Sequence, residues 1–342
     1  MKFAWIGICA AVMFSAAAHA SEAVDVSASP VSDSEQKPRQ WLQRMADAIK
    51  HENYQGVLVF GNNKAWHTLS VNHAIIDGVE YEKISHLTGM PREIVRNGST
   101  VTYDQAGISS VFRDQGSQLL SGVDPDTPTL DEFYRLDVSS KAGRVAGHTA
   151  IKLKIRPVDE YRFGQNLWLD ADTGLLLRSD LLDKNNKLLE RYQFAQVDIG
   201  KPQTIADFES ANVVPLTTSL TDAQAHNLAG NVAGGVQELA ITKPSNWYPE
   251  WVPPGFSLTG SRVGQQSGET AMYSDGLTAF TLFVDPIEHE AIPNFSKRWG
   301  ATCAVVRHQQ LGDANMRITV VGELPVQAAQ KIASSVRFRD KN

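Results

Sequence analysis

Residues 38–60, PRQWLQRMADAIKHENYQGVLVF, set the architecture of this chain. Trp41, Leu42, Met45, Ala48 and Ile49 recur at helical spacing, which predicts a helix over 38–52 with a single apolar stripe. Pro38 suits the first turn, where its missing N–H is not needed. Asn53 and Gly56 end the helix, and Val57-Leu58-Val59-Phe60 reads as a strand. A short amphipathic helix running straight into a strand needs a surface for its stripe. The chain that follows supplies one, because Asp77-Gly78 and Asn97-Gly98 are hairpin turns and Thr88-Gly89 before Pro91 is another. Between these turns lie candidate strands 66–76, 79–86, 93–96, 100–104 and 108–113.

Loop chemistry interrupts the meander at Val123–Pro128. A short helix over 129–136 is then expected, with Phe133 and Leu136 turned inward. Strands resume at 144–146, 150–156, 165–170, 175–182 and 188–197. Residues 38–209 therefore read as a large curved antiparallel sheet over helices, a half-barrel and not a Rossmann-type alternation. Residues 210–245, rich in Ala, Thr, Gly and Asn, read as a linker. Residues 246–342 read as a small α+β domain. Its strands are expected at 257–263, 270–274, 278–284, 301–307 and 316–321, with an amphipathic helix over 325–336.

Residues 1–20 read as an export signal, with Lys2, an apolar run from Phe3 to Ala18 and the small-x-small site Ala18-His19-Ala20. The run is short of the roughly 20 residues that a membrane anchor needs. Residues 21–37 are polar and acidic and read as a disordered leader. The chain is therefore expected to be exported and soluble. A net charge of −6 argues against nucleic acid as a partner. One of the two cysteines falls inside the signal, so Cys303 has no partner for an internal disulfide and reads as a buried, inert thiol.

Catalytic signatures are missing. Neither a Gly-x-Ser-x-Gly elbow nor a phosphate-binding Gly-rich loop occurs. His289-Glu290 opens like a zinc-protease helix, but Pro293 stands where the second histidine belongs. Asp170-x-Asp172-x-Gly174 resembles the opening of a calcium loop, yet the glutamate that would complete it is absent, and a hairpin turn is the better reading. His67 and His73 share a strand face but are too far apart to hold one metal. No enzyme activity, cofactor or metal is expected. A binding module fits better, because a sheet bowed over a helix leaves an apolar groove of the kind that takes acyl chains or hydrophobic peptides. Its candidate lining is Trp41, Met45, Leu58, Phe60, Phe112, Phe133 and Trp168. The competing reading is that these residues simply fill a core.

Several runs carry a family resemblance. His86-Leu87-Thr88-Gly89-Met90-Pro91-Arg92-Glu93-Ile94-Val95-Arg96 is similar to a signature of the MucB/RseB family, as is Trp41-Leu42-x-x-Met45 followed by Asn53-Tyr54-Gln55-Gly56. The second domain resembles that family in Trp251-Val252-Pro253-Pro254-Gly255-Phe256, in Tyr273-Ser274-Asp275-Gly276-Leu277 and in Thr319–Pro325. Members often carry a cysteine near Thr102, and this chain does not. The resemblance implies a first domain folded like the periplasmic lipoprotein carriers. It also implies a periplasmic negative regulator of an envelope-stress sigma factor. Such a protein binds the periplasmic segment of a single-span anti-sigma factor, shields it from proteolysis, and is released by lipid or lipopolysaccharide. A homodimer is compatible with this reading. Arg92, Glu93 and Arg96, just past a turn, are candidates to contact the peptide or a lipid phosphate. The alternative is a periplasmic lipid or lipoprotein carrier, against which the second domain argues.

Overall fold

The computed structural model describes residues 37–62, 64–105, 108–113, 130–139, 141–210, 247–263, 268–287, 293–312 and 314–338. The expected export signal, the leader up to residue 36, the linker from 211 onward and the His289-Glu290 pair lie outside these residues.

Helix α1 spans Pro38–His51. The Lys37 N–H donates to the Gln40 side chain at 3.0 Å, closing the N-terminal turn, and Lys50 and His51 complement the negative end of the helix dipole. Five strands of the meander follow: β1 (Tyr54–Gly61), β2 (Trp66–Ile76), β3 (Val79–His86), β4 (Arg92–Asn97) and β5 (Thr100–Gln105). Strand β6 (Ile108–Arg113) completes it. Asp77 and Gly78, at φ 52° and 77°, take the left-handed conformations that a two-residue hairpin turn demands. After α2 (Leu130–Phe133) come β7 (Tyr134–Val138), β8 (Gly143–Val145), β9 (His148–Pro157), β10 (Gly164–Asp170), β11 (Leu176–Leu182) and β12 (Leu188–Ile199).

These strands form one antiparallel sheet of 12 strands, in the order β6-β5-β4-β3-β2-β1-β12-β11-β10-β9-β7, with β8 also paired to β9. The pairing of β1 with β12, Tyr54 opposite Ile199, joins the first meander to the second. The sheet is open, ending at β6 and β7. Trp41, Leu42, Met45, Ala48 and Ile49 bury the α1 stripe against Leu58, Leu69, Val71, Leu153 and Ile155 on what is here termed the inner face. The helix expected over 129–136 is only one turn long. From Tyr134 the chain becomes β7, because β9 offers a strand to pair with and Tyr134 lies opposite Pro157.

A second sheet of six strands is built from β14 (Ser257–Val263), β15 (Glu269–Ser274), β16 (Ala279–Pro286), β17 (Phe295–Trp299), β18 (Thr302–Leu311) and β19 (Ala314–Gly322). Its order is β14-β15-β16-β19-β18-β17. Helix α3 (Val326–Ser334) packs on it through Ala329, Ile332 and Ala333. A two-stranded ribbon pairs β13 (Trp247–Pro249) with β20 (Val336–Phe338), so Val336 belongs to a strand and not to the helix expected there. Strand β17 was not foreseen, because all five of its residues are exposed and no burial alternation announces it.

Candidate functional site

The inner face of the large sheet is where the sequence places a groove. Trp41 and Met45 are fully buried and Leu58 is 1 % exposed, so these three fill a core and do not line open space. Phe60 lies on the same face as Leu58, two residues further along β1, opposite His67 and Tyr192, and is 37 % exposed. The Phe112 side chain lies outside the described residues. Trp168 does not belong to the groove. Leu167 and Leu169 on either side of it are buried inward, so strand alternation turns Trp168 to the outer face. There its ring lies between Lys152, at 4.6 Å, and Arg178, at 4.0 Å. Phe133 sits at the junction with the second sheet and not in the groove, its ring 4.7 Å from the Arg162 guanidinium.

A row of polar groups crosses the inner face beside this core. In register, Tyr54 of β1 lies opposite His73 of β2, His73 opposite Glu82 of β3, and Glu82 opposite Arg96 of β4. The Tyr54 and His73 rings stack at 4.9 Å, and His73 Nδ1 lies 2.8 Å from the Glu52 carbonyl. Arg96 Nε approaches Glu82 Oε2 at 3.7 Å. Burial raises the Glu82 pKa against the pull of His73 and Arg96, whereas Glu80 is lowered chiefly by its interaction with His73. The buried polar atoms Trp41 Nε1, Glu82 Oε1 and Tyr192 Oη find no hydrogen-bond partner among the described residues. This face therefore offers an apolar layer bordered by a buried carboxyl, a guanidinium and a phenol. Such a lining suits an amphiphile with a polar head.

The three partner candidates on β4 are not brought together. Arg92 and Arg96 share the inner face, and Arg96 is withdrawn from the surface at 3 % exposure. Glu93 faces outward, where Ser85 and Ser210 donate to it and Lys83 lies 3.5 Å away. Alternation along a strand separates adjacent residues in this way. Asp170 holds a hairpin turn, accepting from the backbone N–H groups of Asp172 and Thr173. Among the described residues no group of three His, Cys, Asp or Glu is placed to hold a metal ion.

A buried polar site joins the two sheets. Arg162, fully buried, donates to Asp275 at 2.6 Å, to Asp159 and to the Pro254 carbonyl, and its guanidinium lies over the rings of Phe133, Tyr134 and Phe256. Asp275 also accepts from Tyr134 Oη at 2.7 Å and from the Leu277 and Thr278 N–H groups at 3.0 Å. Gly255, at φ 87°, faces the Phe133 ring so closely that a side chain there would collide with it. Leu277 packs into the core of the large sheet. Nearby, the Ala301 N–H donates to Glu190 of β12. Nothing in the sequence singled out Arg162. Its second-domain partners Pro254, Phe256 and Asp275, however, fall in two of the quoted motifs, which now read as parts of one buried clasp.

The family model described as the MucB/RseB N-terminal domain matches residues 37–217, and that of the MucB/RseB C-terminal domain matches 241–337. The chain is 30 % identical to the sigma factor AlgU regulatory protein MucB of Pseudomonas aeruginosa, over 87 % of this chain and 90 % of that one. It is 26 % identical to the sigma-E factor regulatory protein RseB of Escherichia coli K12, over 87 % and 89 %. It is also similar to the crystal structure of MucB in complex with MucA(peri), at TM-score 0.65 and 29 % identity, covering 89 % of this chain and all of that one. Its two sheets match both family models in order, and the protein belongs to the MucB/RseB family of sigma factor regulatory proteins.

Proposed function

We propose that this protein is a periplasmic regulator that binds the periplasmic segment of a single-span anti-sigma factor, shields that segment from proteolysis, and is released by lipid or lipopolysaccharide. The observation that carries this reading is the likeness, across both sheets, to a relative crystallised with MucA(peri). The groups lining the first domain indicate how a lipid would act. In the closed form described here, α1 seals the inner face with Trp41 and Met45. Acyl chains entering from the Phe60 end would displace that stripe. They would also supply a polar head to Glu82 Oε1 and Tyr192 Oη, which have no hydrogen-bond partner among the described residues. Lipid then favours an open form and the peptide the closed one, and the two ligands oppose each other by linkage.

The test is a digestion of the purified anti-sigma periplasmic segment with and without this protein, repeated with added lipopolysaccharide. Protection that disappears on adding the lipid is expected. Equal cleavage in the presence and absence of the protein would rule the reading out. Protection indifferent to lipid would leave the shield and remove the sensor.

A further inference from the structure

The outer face of the large sheet, opposite α1, carries a concentration of positive charge on a chain whose net charge is −6. Lys152, Lys154 and Arg156 alternate along β9 with the buried Leu153 and Ile155, so all three point outward. In register beside them, Trp168 of β10 lies between Lys152 and Arg178 of β11, and Arg191 of β12 lies opposite Asp180. Five cations, on β9, β11 and β12, and the Trp168 ring between them on β10 thus span four neighbouring strands, a field about 14 Å across at the usual strand spacing.

The carboxylates that meet them are Asp137 and Asp180. Asp180 is shared, because both Arg178 and Arg191 bind it in a two-pronged fashion at 2.6–3.0 Å. Lys154 meets Asp137 at 2.9 Å. Among the described residues, Arg156 donates to neutral acceptors, the Ile155 and Gln165 carbonyls and the Asn166 side chain. Lys152 lies over an aromatic face. The field therefore keeps a surplus of positive charge after its internal pairing. Lys154, Arg156 and Arg178 together disfavour the charged form of Lys152, second to its burial. Trp66, on the same face and 50 % exposed, stands at the rim beyond Gly61, which lies in register between it and Arg191.

We infer that this face docks the protein onto an anionic phospholipid bilayer surface. Cations spread in two dimensions over a sheet match a lamellar array of phosphates, whereas a linear acidic peptide would engage one row at a time. A half-exposed tryptophan at the rim suits the headgroup layer. This docking face is opposite to the proposed lipid groove and does not depend on the anti-sigma reading.

The test is co-sedimentation of the full chain with vesicles of equimolar phosphatidylglycerol and phosphatidylcholine, and with phosphatidylcholine alone. Binding to the anionic vesicles only is expected, with loss near 1 M salt, where the screening length is about 3 Å. Lys152→Gln with Lys154→Gln should weaken it about thirtyfold. Lys50→Gln with Lys201→Gln, an equal charge change elsewhere on the surface, should leave it intact. Circular dichroism of each variant separates weak binding from misfolding. Equal binding to both vesicle types, equal loss in both double variants, or tighter binding of a soluble polyglutamate than of the anionic vesicles would each overturn the proposal.

Discussion

Replacing Asp275 with Asn should cost more than any surface substitution. The carboxylate accepts four hydrogen bonds, from Arg162 Nε, Tyr134 Oη and the Leu277 and Thr278 N–H groups, and its side chain is 1 % exposed. An amide of the same shape can accept on one side only, so either the Arg162–Tyr134 pair or the two backbone donors would face an N–H. Arg162, itself without solvent contact, would keep Asp159 as its one ion-pair partner among the described residues. Removing one partner of a buried pair costs about 3–5 kcal/mol, against a total stability of about 5–15 kcal/mol. At about 3 kcal/mol per molar urea, the unfolding midpoint should fall by about 1 M or more. A double-mutant cycle with Arg162→Met isolates the pair. The double variant should be less destabilised than the sum of the singles by about 2 kcal/mol. A midpoint shift below about 0.3 M, or strict additivity, would refute the assignment of Arg162 and Asp275 as the clasp between the sheets.

Trp41→Ala removes the bulkiest, fully buried side chain of the α1 stripe and should cost about 3–5 kcal/mol in urea unfolding. A cost near zero would mean that α1 does not seal the inner face. Burial raises the Glu190 pKa, against the pull of the Ala301 N–H that donates to it. The unfolded chain therefore releases this proton at lower pH than the folded one, and the group destabilises the fold at neutral pH but not below the ordinary carboxylate range. Glu190→Gln should accordingly raise the urea midpoint at about pH 7, with the gain fading toward about pH 4; a gain independent of pH would contradict this. Burial pushes the Cys303 thiol up to about 11, so the native protein should be inert to Ellman's reagent at mildly alkaline pH and react once unfolded.

Local pattern alone determined much of the architecture. The helical spacing from Trp41 to Ile49 and the turns at Asp77-Gly78 and Asn97-Gly98 placed α1 and the meander, because these signals act over a few residues and need no distant partner. Strand β7 was misread as helix, since its conformation is dictated by the edge of β9 and not by its own residues. The edge strand β17, exposed throughout, had no pattern to read. Which groove candidates share a face was decided by register: alternation on β10 turned Trp168 outward into a cationic field, and burial withdrew Arg96 from the surface. Arg162 and Asp275 are 113 residues apart. Their clasp was beyond any local reading, because a buried ion pair is defined by what desolvates it, and that exists only once both sheets are folded together.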